Sequence, residues 1–370
     1  MRINHSIAYF NHAGLSRPGP AVTKRMRAAE KAYREQLFSE AGVAMYYATL
    51  AESRGAIADL LGLASPAGVS LLANATTAIQ ILVSGLSASL VPGATIITSD
   101  QEHPCVVRPL NMLAARGIAI ITIAASSAAE MLACIDEQVR AQRPALVILS
   151  HVSYKNGRVL PVAKVGTLLA RDAIPYIVDG AQALGHIAVD VPAMRAWAYV
   201  FSGHKWMGGP WGTGGLWTSE QLATNNRFTL SNWSDEHDPP TGGRYEGGTM
   251  NYALIAGLAE ACRQARATHN KRMRGLSRIQ TAIRRALDGI LPDADAAWQD
   301  GHAPGIIAYR MRPELDSWTL AARMLENHGV AIKPFRPPER PDAIRISYAP
   351  SASATEIGRL ATALRTEASR

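Results

Sequence analysis

Apolar runs rich in β-branched residues recur between residues 69 and 219, and segments with helical spacing of their apolar positions separate most of them. Seven of these runs are predicted to be buried strands: 69–74, 95–100, 118–124, 145–153, 175–182, 199–204 and 214–219. Buried strands that alternate with helices are typical of βαβ units. The pattern therefore predicts an α/β fold with a mainly parallel seven-stranded sheet sandwiched by helices. Only a Gly-rich stretch links the last two strands, which favours an antiparallel pair there.

The pattern changes after residue 250. It predicts, in order, a long helix over 251–289, a strand at 305–312, a helix at 317–329, strands at 330–335 and 343–350, and a helix from Thr355. Such a mixture predicts a smaller α+β domain at the C-terminus. We therefore divide the chain into an N-terminal segment (1–20), a large domain (21–265) and a small domain (266–370). The Pro-rich segment 334–342 is expected to be an ordered surface loop.

Composition fits a folded protein with a large core. Of the 370 residues, 48% are hydrophobic and only 18% are charged, so disorder is not expected. The net charge of +8 comes mostly from arginine, and residues 270–285 form the densest basic run. A solvated helix is the first interpretation of this run and an anion-binding patch is the second. No helix-turn-helix signature or aromatic-interleaved basic motif accompanies it, so we expect no nucleic-acid binding.

Cysteine usage and hydropathy narrow the class further. Cys105, Cys134 and Cys262 lie far apart and form no CxxC pair, which argues against a disulfide framework or a structural zinc site, and no metal is expected. Residues 1–14 contain no apolar signal-peptide core, and no run of about 18 apolar residues occurs that could span a membrane. These features predict a soluble cytoplasmic protein.

Polar side chains follow five of the predicted strands. Ligands of open parallel sheets bind beyond the carboxyl ends of the strands, so we expect these side chains to converge on one crevice. They are Asn74 and Thr76, Glu102 and His103, the segment 150–157, Asp179 and Gln182, and Ser202, His204 and Lys205.

Each residue also has a structural interpretation. Asn74 or Thr76 is an ordinary helix N-cap, although the free N–H groups of a helix start also bind phosphate. Asp179 suits a turn cap as well as a dry functional carboxylate, and His103 suits a loop. Lys205 is one of seven lysines and the one that abuts a predicted buried strand end. Pyridoxal phosphate (PLP) would use all of them, since it needs an amine, a carboxylate for its ring nitrogen and a phosphate cradle.

Two segments carry a family resemblance. VDGAQALGH (178–186) followed by FSGHKWMGGPWGTGGLW (201–217) resembles the class V aminotransferases, a PLP-dependent family of fold type I. The family includes cysteine desulfurases, selenocysteine lyases, kynureninases and isopenicillin N epimerase-like proteins. Further segments follow in the family's order, so the resemblance covers nearly the whole chain: EHP (102–104), SHVSYKNGRVLP (150–161), EGGT (246–249) and IRIS (344–347).

The resemblance implies roles for the cofactor residues. Lys205 would form the internal aldimine and serve as the catalytic base, Asp179 would pair with the pyridine nitrogen, and Gln182 would hydrogen-bond the ring hydroxyl. His103 would stack on the ring. The phosphate would be held by five residues, of which the last belongs to the site of the neighbouring subunit and so implies a homodimer with shared sites: Ala75, Thr76, Ser202, His204 and Thr249.

The resemblance also implies an amino-acid substrate. Arg345 would bind its α-carboxylate as a planar bidentate fork, the alternative being an exposed charge on a strand. Asn11 and His12 would lie near the substrate. Tyr154 stands where desulfurases have asparagine, as in kynureninase- or epimerase-like members, and could act as an acid or pack. Trp206, Trp211, Trp217 and Trp233 surround the Gly-rich stretch and could line a pocket, although packing is the default for tryptophan.

The reaction would pass through an external aldimine and a quinonoid, which transamination, elimination and epimerisation share. Desulfurases carry a persulfide-forming cysteine before the strand that bears the carboxylate arginine, and residues 330–347 contain none. The sequence therefore favours β-elimination, a C–S lyase reaction on a cysteine-derived substrate, over transamination or epimerisation. A PLP-binding protein without turnover is the least favoured alternative. A dinucleotide-dependent oxidoreductase is rejected because no G-x-G-x-x-G joins a strand to a helix.

Overall fold

A computed structural model describes residues 7–224, 243–294, 298, 300–312, 314–335 and 343–369. Contacts divide the chain into two compact units. The larger unit takes the described residues of 17–152 and 160–267, and the smaller unit takes those of 7–16, 153–159 and 268–369. Residues 336–342 of the predicted surface loop 334–342, and also Trp233, lie outside the described residues.

The helices and strands are numbered in chain order. They are β1 (Ala8–Tyr9), α1 (Pro20–Glu35), α2 (Glu40–Leu61), β2 (Val69–Leu72), α3 (Ala75–Ser87), β3 (Thr95–Ser99), α4 (Pro104–Ala114), β4 (Ala119–Ile123), α5 (Ala128–Ala141), β5 (Leu146–Ser150), α6 (Val162–Leu169) with a 3-10 turn at Ala170–Asp172, β6 (Tyr176–Asp179), α7 (Val191–Met194), β7 (Ala198–Ser202), β8 (Gly214–Thr218), α8 (Glu220–Ala223), α9 (Tyr252–Leu287), β9 (Ile306–Arg310), α10 (Ser317–His328), β10 (Val330–Ala331), β11 (Lys333–Pro334), β12 (Ala343–Ser347) and α11 (Ala354–Ala368).

The larger unit is built on a seven-stranded sheet in the order β2-β8-β7-β6-β5-β3-β4. Strands β3 to β7 are parallel, and β8 runs antiparallel to both β7 and β2. The predicted seven-stranded, mainly parallel sheet and its antiparallel last pair are confirmed. Every residue of β3, β5, β6 and β7 is buried, as expected for strands covered on both faces.

Polar caps fix where the helices of this sheet begin. The Asn74 side chain accepts a hydrogen bond from the Thr77 N–H at 2.9 Å, so Asn74 rather than Thr76 is the N-cap of α3. At the start of α4, His103 Nδ1 accepts from the Cys105 N–H at 3.1 Å, and Pro104 occupies the first helical position, where no N–H is needed. Both helices start directly after a strand, which sets their N-termini at the carboxyl edge of the sheet.

The smaller unit contains two small sheets. Strand β12 lies between β11 and β9 in an antiparallel sheet, and β1 pairs in parallel with β10. The run 330–335, predicted as one strand, is two short strands, because β10 pairs with β1 whereas β11 pairs with β12. Helix α11 starts with a capping box between Ser353 and Glu356, one residue before the predicted start.

The units differ from the predicted domain boundaries in the segment 153–159, which sequence analysis places in the large domain. In the structure it belongs to the smaller unit, because the Val159 N–H donates to Gly301 O at 3.1 Å and the Ala303 N–H donates to Gly157 O at 2.8 Å. Gly157 has φ +83°, and a Cβ there would lie 3.0 Å from Ile306 Cβ. A glycine is therefore required at this turn.

Among the described residues, the structure contains no helix that is both long and apolar enough to cross a bilayer.

Candidate active site

Buried polar groups lie side by side at the carboxyl edge of the larger unit's sheet. Glu102, just after β3, accepts hydrogen bonds from Ser99 Oγ at 2.5 Å, Ser150 N at 2.9 Å and Ser150 Oγ at 2.7 Å. It thereby ties the end of β3 to the end of β5. Ser150 is in register with Asp179, the last residue of β6. These three strand ends therefore place two buried carboxyl groups next to each other.

Asp179 is 3% exposed, and its Oδ1 accepts a hydrogen bond from the Ala181 N–H at 2.9 Å. Burial raises the pKa of this carboxyl, whereas the charge of Lys205 and the Ala181 bond lower it. The pKa is raised overall, and Lys205 is the larger of the two influences that favour the charged form. A buried carboxylate that depends on a nearby cation is suited to pairing with a protonated ring nitrogen.

Lys205 lies in the turn after β7. Backbone bonds shape this turn: the Gly203 N–H donates to Thr213 O at 2.7 Å, and the Gly208 N–H donates to Lys205 O at 3.0 Å. Gly208 has φ +70°, which few other residues adopt without strain. The Lys205 side chain is half-buried, and its charge acts on Asp179, Cys105 and His204. The amine therefore sits among the site residues rather than on the outer surface.

The Gln182 side chain is held by a second buried residue, Trp206. The Trp206 Nε1–H donates to Gln182 Oε1 at 2.7 Å, and the His186 ring stacks on the indole at 3.6 Å between centroids and 10° between planes. His186 Nδ1 also contacts Gln182 O at 2.8 Å. With its oxygen engaged by Trp206, the Gln182 amide can offer only N–H donors to another group.

The start of α3 and the end of β7 meet. The Ala75 N–H donates to Ser202 Oγ at 3.1 Å, which brings two of the predicted phosphate residues into contact. Thr76 is exposed at the first turn of α3 and hydrogen-bonds Cys105. A helix N-terminus with adjacent hydroxyls can bind a phosphate group.

His204 is half-buried beside Lys205, and its Nδ1 lies 3.2 Å from Thr213 O. A carbonyl only accepts, so Nδ1 carries the proton. Burial and the charge of Lys205 lower the pKa of the His204 ring. In the neutral ring, Nε2 then carries no proton. It can donate to a phosphate only when the anion favours binding of a second proton to the ring.

His103 is half-buried, with its ring oriented by the Cys105 N–H. Because Nδ1 accepts that bond, a neutral ring carries its proton on Nε2. The neighbouring thiol is not reactive: burial, followed by the charge of Asp179, raises the pKa of Cys105 to about 12.

Arg345 lies on β12 of the smaller unit and is 3% exposed, so the alternative of an exposed strand charge is wrong. Its Nη1 donates to Tyr154 O at 2.7 Å and its Nη2 to Asn11 Oδ1 at 2.8 Å. The guanidinium also lies 5.9 Å from the centre of the Phe335 ring.

The remaining predicted residues have defined positions. Asn11 forms a bridge with Ser347 of β12 and accepts from Arg345, and the His12 N–H donates to Ser347 O at 3.0 Å. The buried Tyr154 ring packs edge-on against Phe335, with 5.9 Å between centroids. Thr249 of the larger unit is exposed, after Gly248.

Two contributors are not among the site residues that the sequence predicts. The sequence marks Glu102 only as a polar residue after a strand, and Trp206 only as one of several tryptophans. Their positions next to His103 and Lys205 were the one available signal. The bonds they make join residues 48 and 24 positions apart, which a single sequence does not reveal.

The model of the family "Aminotransferase class-V" matches residues 8–333. The chain belongs to the class V aminotransferase family. PLP is the cofactor of this family, and the groups at the sheet edge fit it: an amine, a buried acid, an amide with only donors to offer and a helix N-terminus. The predicted family, fold and cofactor are therefore confirmed.

Named relatives within the family differ in reaction. A probable cysteine desulfurase of Mycolicibacterium paratuberculosis is 33% identical over 57% of this chain and 32% of its own length. A cysteine desulfurase of Dickeya dadantii is 31% identical over 57% of this chain and 53% of its own. The chain thus matches about a third of the length of the first relative and about half of the second. An isopenicillin N epimerase of Amycolatopsis lactamdurans is 27% identical over 85% of this chain and 83% of its own.

Solved structures share the fold. The cystine C–S lyase C-DES, in complex with its reaction product cysteine persulfide, superposes with a TM-score of 0.82 at 24% identity and 97% coverage of both chains. A further C-DES structure contains glycine covalently linked to the PLP cofactor. At identities this low, the likeness shows a common fold alone.

Proposed function

We propose that this class V enzyme catalyses β-elimination on a cysteine-derived amino acid, a C–S lyase reaction. One observation favours β-elimination over transfer of sulfur to the protein: the chain has no thiol suited to accept sulfur. Burial raises the pKa of Cys105 and of Cys262 to about 12, and Cys134 lies midway along α5. Without a thiolate, the sulfur must leave attached to its own substituent.

PLP, when bound, supplies a sink for the electron pair left at the substrate Cα. Residues of the larger unit hold its ring in this proposal. Asp179 lies opposite the ring nitrogen, and Lys205 favours the charged form of a carboxyl whose pKa burial raises. Gln182, locked by Trp206, donates an N–H to the ring oxygen.

Lys205 serves two purposes in this proposal. Its amine holds the cofactor before substrate arrives, and once released it takes the proton from the substrate Cα. The Lys205 ammonium can then give this proton to the leaving sulfur, so the elimination needs no other acid. Products are then a thiol or related sulfur compound, ammonia and the keto acid that hydrolysis of the enamine yields.

We further propose that Arg345 binds the substrate α-carboxylate. Tyr154 O and Asn11 Oδ1 fix the guanidinium plane in the smaller unit, so little rotamer freedom is lost when a carboxylate binds. Asn11 then acts on the substrate through Arg345, and His12 is held by the same strand. The ring of Tyr154 packs against Phe335, and its backbone oxygen orients Arg345.

The phosphate is proposed to bind at the start of α3, to Ala75, Thr76, Ser202 and His204, with His103 stacked on the ring. Thr249 is exposed, as a residue that reaches a neighbouring subunit must be. A homodimer with shared sites follows from that role. Mixing Thr249→Ala protein with Lys205→Ala protein should then give hybrid dimers, whose PLP affinity differs from that of either parent.

Product analysis tests the reaction. Holoenzyme is incubated with S-ethylcysteine, cystine and alanine, and pyruvate, ammonia and the cofactor form are measured. Elimination gives equal amounts of pyruvate and ammonia from the sulfur substrates only. Accumulation of pyridoxamine phosphate would make the enzyme a transaminase, and loss of optical activity without pyruvate would make it an epimerase.

A thiol-free variant provides the control. Cys105→Ser/Cys134→Ser/Cys262→Ala should keep its rate of pyruvate formation within about twofold, because no protein thiol takes part. Loss of sulfur release in a variant that still binds PLP would mean sulfur transfer to the protein and would overturn the proposal.

A further inference from the structure

Helix α9 presents a row of cations in the smaller unit. Lys271, Arg274, Arg278 and Arg285 are all exposed, and their spacing of three, four and seven places them on one side of the helix. We call these four residues the basic face. The opposite side is apolar and buried through Leu276, Ile279, Ile283 and Leu287. At a rise of about 1.5 Å per residue, the face extends about 21 Å.

No acid neutralises this face within the described parts of the chain. Residues 261–287 contain no Asp or Glu, and none of the four side chains makes an ion pair or hydrogen bond to a described residue. The other arginines of α9 differ: Arg266 pairs with Asp59 and Arg284 with Asp293.

The next acid along the chain is Asp288, which lies three residues beyond Arg285 and just after the end of α9. The other three cations of the face have no Asp or Glu within four residues on the helix. Cations at i and i+4, such as Arg274 and Arg278, repel each other by about 0.2–0.5 kcal/mol per pair. The basic face is therefore a site of uncompensated charge, which an anion would relieve.

The face opens onto a concave surface. A cavity of about 520 Å³ is lined by Lys271, Arg274 and Arg278, together with Arg272, Thr268, Gly275 and the turn Pro350–Ser351. A Cβ on Gly275 would lie 3.2 Å from Pro350 Cβ, so the glycine lets the turn approach the helix. A second depression of about 650 Å³ continues from Arg278 to Arg285. Both volumes are in the range of small-molecule sites, about 300–1,000 Å³.

We propose that the basic face binds a small molecule that carries a polyphosphate chain, such as a nucleoside triphosphate. Three of the four cations are arginines, whose planar forks match phosphate oxygens. Lys271 to Arg278 spans about 10 Å along the helix, the length scale of a triphosphate.

Other polyanions fit less well. Residues 268–287 include no Phe, Tyr or Trp on which the bases of a single strand could stack. The exposed side also lacks the large apolar anchors on which most protein interfaces depend, since Thr281 and Ala282 separate the cations. A concave surface with cations on one wall favours a compact anion.

Direct binding tests this site without reference to the reaction. PLP-loaded enzyme, whose cofactor phosphate site is filled, is titrated calorimetrically with inorganic tripolyphosphate and with ATP at 50 and 200 mM NaCl. Arg274→Gln/Arg278→Gln is compared with Arg263→Gln/Arg266→Gln, which makes the same charge change on the same helix. All four substitutions are at surface positions, where folding is little affected.

Tripolyphosphate and ATP should bind with similar affinity, weaken at the higher salt concentration and lose about tenfold or more in the first variant but less than about twofold in the second. ATP that binds while tripolyphosphate does not would mean base recognition elsewhere. Equal losses in both variants would mean a response to net charge. Either result overturns the proposal, as does the absence of binding. Tight binding of a 20-bp DNA duplex or polyglutamate in place of tripolyphosphate would overturn it in favour of a macromolecular partner.

Discussion

Arg54→Met should destabilise the larger unit far more than the loss of a typical ion pair. Arg54 on α2 donates to Glu246 through Nε at 2.9 Å and through Nη2 at 2.5 Å, and the two side chains are 5% and 6% exposed. Glu246 Oε1 also accepts from the Leu71 N–H of β2 at 2.7 Å. The pair thus links α2, β2 and the segment that leads to Thr249.

The magnitude follows from what the substitution leaves behind. Methionine keeps most of the apolar stem, but the Glu246 carboxylate remains buried with only one donor. Removing one member of a buried ion pair costs about 3–5 kcal/mol. Arg263→Met is the matched control, because Arg263 also pairs bidentately with an acid but is 45% exposed, which limits its contribution to about 1 kcal/mol or less.

Urea unfolding of the PLP-loaded protein, followed by circular dichroism, measures both variants. The double variant Arg54→Met/Glu246→Leu should recover part of the loss, since no unpaired charge is buried, but not the bond to Leu71. Equal destabilisation by Arg54→Met and Arg263→Met would refute the reasoning, because it would mean that burial adds nothing to the cost.

Three further predictions concern the sheet edge. Lys205→Ala should still fold but lose the bond to PLP that borohydride reduces to a stable adduct, which peptide mass spectrometry detects; an adduct on another lysine would contradict the assignment. Burial raises the pKa of Glu102 to about 7, so the folded state keeps a proton that the unfolded chain releases above about pH 4.5. The stability advantage of wild type over Glu102→Gln should therefore fall by about 3 kcal/mol as pH rises from 4.5 to 7, and a constant difference would refute the shift. Trp206→Phe leaves Gln182 Oε1 without its donor and should cost about 1–3 kcal/mol in unfolding free energy, with weaker PLP binding by fluorescence titration; restoration of PLP affinity by Gln182→Glu in the Trp206→Phe background would argue against the amide lock.

Much of the larger unit's sheet could be predicted because its strands are buried on both faces. Continuous apolar runs such as 146–150 have few alternative structures, and the residue that follows each run is then known to lie at the sheet edge. Asp179 and Lys205 could be paired in this way before any coordinates. The family motif supplied the roles, which spacing alone left open.

The smaller unit was less predictable because its pairings are short and distant. Two residues suffice for β1, and its partner β10 is more than 300 positions away, so neither leaves a periodic signal. Segment 153–159 follows directly from a buried strand, and nothing local indicates that its hydrogen bonds go to residues 301–303. The family resemblance predicts that Arg345 binds a carboxylate. The hydrogen bonds that fix its guanidinium, to Tyr154 O and Asn11, join residues 191 and 334 positions apart, which a single sequence does not reveal.

Lys205 lowers the pKa of one of two adjacent buried acids. Glu102 and Asp179 are both buried, and the charge of Asp179 raises the pKa of Glu102. Lys205 lowers the pKa of Asp179, whereas Glu102 has only hydroxyl and amide donors in Ser99 and Ser150. The charge of Asp179 therefore disfavours ionisation of Glu102, whose pKa is raised to about 7, while Lys205 favours the charged form of Asp179. Under the proposed roles, the lysine that binds the cofactor also favours the charged form of the carboxylate that faces the ring nitrogen.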